Sequence, residues 1–186
     1  MSNTYSIVFH PSEDIVSKIK MMKETLSEKT GWFNSKNSLA HITIGEFTAT
    51  DLQLEKIKKQ IAQISDTIQP IKVVLDHFGS YPNGAFFIAP NPNTKEELIP
   101  IMKRFHQEIR FPIVHKSTDP HLSIARKLSL ENIEIAFSMF PNIELEYSCE
   151  DVVLRSFDPV AKQFKIIGHF PFNGNIKLEF IQTSLF

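Results

Sequence analysis

Two tetrapeptides, His41-Ile42-Thr43-Ile44 and His121-Leu122-Ser123-Ile124, repeat one pattern of histidine, aliphatic, hydroxyl and aliphatic, 80 residues apart in a chain of 186. An imidazole with an ordinary pKa near ~6.5 takes or gives a proton at neutral pH. A facing pair could therefore deprotonate a nucleophile on one side of a phosphodiester and protonate the leaving oxygen on the other. Thr43 and Ser123 would supply hydroxyls to the non-bridging oxygens, where charge develops in the transition state. Among seven histidines, chance yields roughly 0.2 matches to so short a pattern. A single copy would carry little weight, since a lone strand histidine is more often a structural, hydrogen-bonded residue.

The elements that must position these residues follow from periodicity. Tyr5 to Phe9 reads as a strand, and Ser12 opens a helix on which Ile15, Ile19, Met22 and Leu26 recur at helical spacing. Ala40 to Phe47 alternates as a strand, Asp51 caps a helix carrying Leu54, Ile57, Ile61 and Ile64, and Ile71 to Phe78 is a third strand. Gly79 to Gly84 marks a hairpin into a strand at Ala85 to Ala89. The order then repeats: helix 94–109, strand 121–126, helix 129–140 and strand 143–147. Further strands are expected at 152–157, 164–170 and 176–181. Because strand side chains alternate faces, His41 and Thr43 share one face and Ile42 and Ile44 the other, with the same division at 121–124. The prediction is an α+β fold of two duplicated β-α-β-α-β halves, 4–78 and 85–157, within one two-lobed domain over 1–186. C-terminal strands over 163–181 would follow, and antiparallel sheets would flank a central cleft.

Composition bounds the partner. Twenty Lys+Arg against 21 Asp+Glu give a net charge of −1, so no global basic field exists for a long duplex, and an RNA end or a small nucleotide fits better. The lone Cys149 excludes an intrachain disulfide framework and multi-cysteine zinc patterns, and suits a reducing cytoplasm. The opening MSNTYSIVFHPSEDIV lacks a basic export region, and no long apolar run suggests a membrane span. No obligate protein partner is evident. Sixteen Phe point to aromatic core packing.

The two motifs resemble those of the two-histidine phosphoesterase superfamily, the group of 2′-5′ RNA ligase-like and cyclic nucleotide phosphodiesterase proteins. Similarity extends over Tyr5 to Phe172, and Pro120-His121-Leu122-Ser123-Ile124-Ala125-Arg126 resembles the fuller second motif. The resemblance implies a bilobed, LigT-like fold and cofactor-free, metal-independent chemistry on 2′,3′-cyclic or 2′-5′ phosphodiesters, with His41 and His121 as the general acid/base pair. It also implies a phosphate contact from Arg126, although strict alternation puts that residue off the His121 face. Glu46 stands where many relatives carry an apolar residue, a departure that bears on substrate preference.

Phe47, Tyr81 and Phe157 are candidates for stacking on a base, and Lys116 and Lys127 bracket the second motif. A metal site from His115, Asp119 and His121 has suitable ligand types, but Pro120 breaks the strand and the first half has no matching triad. Two alternatives to hydrolysis share the same residues: a nucleotide or RNA-end binding module without turnover, and 2′-5′ ligation in the reverse direction.

Overall fold

A computed structural model describes residues 2–176. The first half runs β1 (Ser2–Phe9), α1 (Glu13–Thr30), β2 (Ile42–Thr50), α2 (Asp51–Asp66) and β3 (Ile71–Tyr81). The second runs β4 (Ala85–Pro90), α3 (Pro92–Glu108), β5 (His115–Lys116), β6 (Leu122–Ala125), α4 (Leu130–Met139), β7 (Leu145–Cys149) and β8 (Asp151–Asp158), followed by β9 (Gln163–Pro171). The short β5 was not expected from the sequence. The expected strand over 176–181 falls outside the described residues apart from its first.

Local chemistry explains the boundaries. Thr50, not Asp51, caps α2: its side chain accepts from the Gln53 backbone while the Gln53 side chain accepts from the Thr50 N–H, a reciprocal capping box. Asn91 and Ser129 cap α3 and α4 in the same sense. Each helix buries one stripe: Ile15, Ile19 and Leu26 on α1; Leu54, Ile57, Ile61 and Ile64 on α2; Leu98, Ile101, Met102 and Phe105 on α3.

The nine described strands form one curled sheet in the order β7-β3-β4-β6-β2-β1-β8-β9, with β5 beside β2. The chain halves are therefore not the spatial lobes. β3 crosses to lie beside β4, and its counterpart beside β1 is β8, not β7 as the simple repeat implied. Each half thus lends its neighbour a strand, which ties the two lobes together. The lobes meet through β2 and β6 at one residue pair, Ile42 opposite Leu122. Ile42, Ile44, Leu122 and Ile124 are all fully buried. At roughly 1.5–3 kcal/mol for each buried aliphatic side chain, this apolar seam anchors the strands whose opposite faces carry the motifs.

Candidate active site

Both motif histidines sit one residue ahead of their strands, and each ring folds back on the chain. His41 Nδ1 donates to the Leu39 carbonyl at 2.6 Å, and His121 Nδ1 donates to the Asp119 carbonyl at 2.9 Å. A carbonyl only accepts, so Nδ1 carries the hydrogen in both rings and Nε2 is left for chemistry. Extending the Ile42–Leu122 register by one residue each way sets His41 opposite Ser123 and Thr43 opposite His121. All four side chains line one cavity of about 810 Å³.

Beyond the hydroxyls the strict alternation fails, at equivalent points in both halves. Val8 pairs with Thr43 and Ile7 with Gly45, leaving Ile44 as an extra residue; Phe87 pairs with Ser123 and Phe86 with Ala125, leaving Ile124 extra. A bulge of this kind puts two successive residues on one side and reverses the parity that follows. Ile44-Gly45 and Ile124-Ala125 are accordingly buried, while Glu46 and Arg126 turn into the cavity. The expected off-face placement of Arg126 is thus corrected. The same bulge overturns the stacking role foreseen for Phe47, which is 1% exposed and packs between Tyr5 and Phe111 in the core.

Other candidates take varied places. Phe157 lines the cavity against Phe164, with ring centroids 5.3 Å apart, and Lys116 and Lys127 line it too. Tyr81 also reaches the cavity, but its ring meets His121 edge-on at 5.3 Å and Phe87 at 4.5 Å, and its hydroxyl donates to the Asp119 carboxylate. It buttresses the second histidine instead of offering a free face to a base. Lys95 holds the other Asp119 oxygen at 2.5 Å. With its carboxylate engaged in this way, Asp119 is poorly disposed to join His115 and His121 around a metal, and the described residues contain no metal-ligating cluster of three or more His, Cys, Asp or Glu.

Two buried cations escaped the sequence reading. Lys23 is 2% exposed, and its Nζ donates to the carbonyls of Ser35 and Ser38 at 3.1 and 2.7 Å, which pins the loop leading to His41. Its position four residues after Ile19, inside the apolar stripe of α1, was the available signal. Arg155, equally buried, donates to Ser6 Oγ at 3.1 Å and lies 5.0 Å from the Phe164 ring centroid. It closes an apolar strand run, Val152-Val153-Leu154, where a cation is out of place.

These charges set the two histidines apart. Burial pushes His41 well below the ordinary imidazole range, and the Arg155, Lys23 and Arg126 cations press further in that direction against the opposing bond to the Leu39 carbonyl. Burial also lowers His121, its bond to the Asp119 carbonyl and the Asp119 carboxylate oppose the shift, and Arg126 and Lys95 add smaller downward pushes. The asymmetry has two sources: Arg155 and Lys23 bear on His41 and not on His121, and Leu39 stands in the first half where the Asp119 carboxylate stands in the second. Burial lowers Lys23 to about 8 and Arg155 to about 10, with Glu46 partly restoring the latter. Burial favours a neutral Asp119, yet bonds from Lys95 and Tyr81 outweigh it and hold the carboxyl below its usual value. Lys23, Lys116, Arg126, Lys127 and Lys162 make the cavity locally cationic in a chain of near-zero net charge.

Among the described residues no helix is long and apolar enough to cross a membrane. Compared by sequence with curated proteins, the chain matches none. Its fold matches Escherichia coli LigT in apo form with a TM-score of 0.68 at 12% identity, covering 91% of this chain and 97% of that one. TT0787 of Thermus thermophilus matches at 0.62 and 16% identity over 93% and 100%, and Kluyveromyces marxianus Usb1 at 0.56 and 11% over 91% and 98%. A family model described as the 2′-5′ RNA ligase superfamily matches residues 12–160 and so takes in both motifs. The chain belongs to that superfamily, within the two-histidine phosphoesterases, whose members support a phosphoesterase or ligase type of function.

Proposed function

We propose that the cleft is a metal-independent phosphoesterase site for 2′,3′-cyclic or 2′-5′ phosphodiesters at RNA ends or in small nucleotides, with His41 as general base and His121 as general acid. The observation that carries this reading is the paired tautomer: both rings commit Nδ1–H to a carbonyl, which leaves two Nε2 atoms to serve one cavity with two hydroxyls between them. In hydrolysis of a cyclic ester, Nε2 of neutral His41 takes a proton from water as the water oxygen bonds to phosphorus. The bond from phosphorus to one ribose oxygen breaks, and that oxygen takes the proton from Nε2 of the His121 imidazolium. Thr43, Ser123 and Arg126 hold the non-bridging oxygens. Cleavage of a 2′-5′ diester uses the same proton transfers, and run backwards that reaction joins a ribose hydroxyl of one strand to the phosphate of another with loss of water, which is ligation. Crystal structures of E. coli LigT complexed with phosphate and with 3′-AMP show that relative holding ligands of this class.

The roles follow from electrostatics. A base must be neutral, and cations surround His41; an acid must be protonated, and a carboxylate supports His121. Activity should rise as pH climbs through the pKa of His41 and fall as it climbs through that of His121. Both are depressed, so kcat/KM is expected to follow a bell centred below pH ~6.5. Asp119→Asn removes the carboxylate that supports the imidazolium, and should move the alkaline limb to lower pH while leaving the acid limb in place. A shift of the acid limb alone would exchange the two roles.

A further inference from the structure

Among the described residues that line the cavity, Glu46 is the one whose equivalent 80 positions on, Arg126, carries the opposite charge. A carboxylate beside a phosphate site works against anion binding unless it faces another part of the ligand. Its placement is enforced by the Ile44 bulge, and among the described residues its carboxylate forms neither hydrogen bond nor ion pair, although its charge bears on Arg155. Glu46 lies opposite Ser6 on β1, and Ser6 lies opposite Arg155 on β8, so the three form a row across one face of the sheet. Phe157, two residues beyond Arg155 and paired with Phe164, continues that face. From the motif outward, the first lobe therefore presents Thr43, then a carboxylate, then an aromatic pair. Two strand spacings and two residues along β8 separate Glu46 from Phe157, roughly 12 Å between backbones, a span that an aromatic base lying against Phe157 and the Glu46 side chain can bridge together.

We infer that Glu46 and Phe157 form a nucleobase subsite that selects guanine, an inference that rests on the nucleotide reading of the site. A 2′,3′-cyclic phosphate ties up the 2′ and 3′ oxygens, which leaves the base edge as the part of the ligand that can offer two adjacent donors. A carboxylate only accepts, and its two oxygens match two adjacent donors. Guanine offers N1–H and N2–H side by side. Adenine and cytosine offer one amine next to a ring acceptor that the carboxylate repels, and uracil offers one N–H between two carbonyls. The expected order is guanine first and uracil last.

The test measures kcat/KM for the four 2′,3′-cyclic nucleotides, and calorimetric affinity for 3′-GMP and 3′-UMP, with wild type and Glu46→Gln. Wild type should favour guanine over uracil by about 10- to 100-fold, the discrimination typical of one bidentate base contact, and the ratio should approach one in Glu46→Gln. If Glu46 serves only to steady Arg155, the variant will lose thermal stability while the ratio does not move. Equal handling of guanine and uracil by wild type, or a ratio unchanged in the variant, overturns the inference. A guanine preference in binding without turnover of any cyclic nucleotide would instead remove the catalytic reading and leave the base reading standing.

Discussion

His41→Ala and His121→Ala are each expected to lower kcat/KM by about 10²- to 10⁴-fold, the range over which a positioned general acid or base contributes. The two proton transfers are parts of one displacement, so the double variant should be little worse than either single one. The fold should survive. His41 contributes one hydrogen bond to a carbonyl at the strand edge, worth about 0.5–1.5 kcal/mol. His121 adds to its own carbonyl bond two ring contacts, with Tyr81 and Phe87, each worth about 0.5–1.5 kcal/mol. Neither ring belongs to the buried apolar core that joins the lobes. Thermal unfolding followed by circular dichroism should show modest shifts beside the kinetic loss. Full activity in either variant would refute the dyad, and collapse of the fold in both would show the rings to be structural.

Thr43→Val and Ser123→Ala should each cost about 10- to 10³-fold, with the loss in kcat more than in KM. Valine keeps the shape of threonine and removes only the hydroxyl, so the β2 packing is preserved. What disappears is a donor aimed at oxygens that gain charge as the transition state forms, and removal of one such donor elsewhere costs about 10²–10³-fold. Steady-state kinetics separate the two effects. A rise in KM at constant kcat would mean that the hydroxyls bind the ground-state phosphate and do nothing further for the reaction.

Much of this arrangement was legible because its cause is local. Period-two alternation put His41 with Thr43 and His121 with Ser123, and the 80-residue offset paired the halves. The bulges at Ile44 and Ile124 were not read, although both leave a trace: an aliphatic residue followed by Gly45 or Ala125, two small or apolar residues in succession where alternation demands one. Missing that trace sent Phe47 to the cleft and Arg126 away from it. The strand exchange between lobes left no local mark, because the sequence of β3 specifies a half-buried strand and not the neighbour it joins. Lys23 and Arg155 were visible as cations inside apolar patterns, but what each one holds depends on loops and strands distant in the chain. Tyr81 shows the converse: the sequence marked it as a cleft residue, while its partners Asp119 and His121 come from another part of the chain.

The most direct test of the central claim is incubation of the purified protein, in excess chelator, with 2′,3′-cyclic mononucleotides, short cyclic-ended RNAs and 2′-5′ dinucleotides, with the phosphate regioisomer of each product resolved. Opening of at least one of these to a single isomer, undiminished by the chelator, is the expected result. No turnover across the panel, or turnover that chelator abolishes and a divalent metal restores, would contradict it.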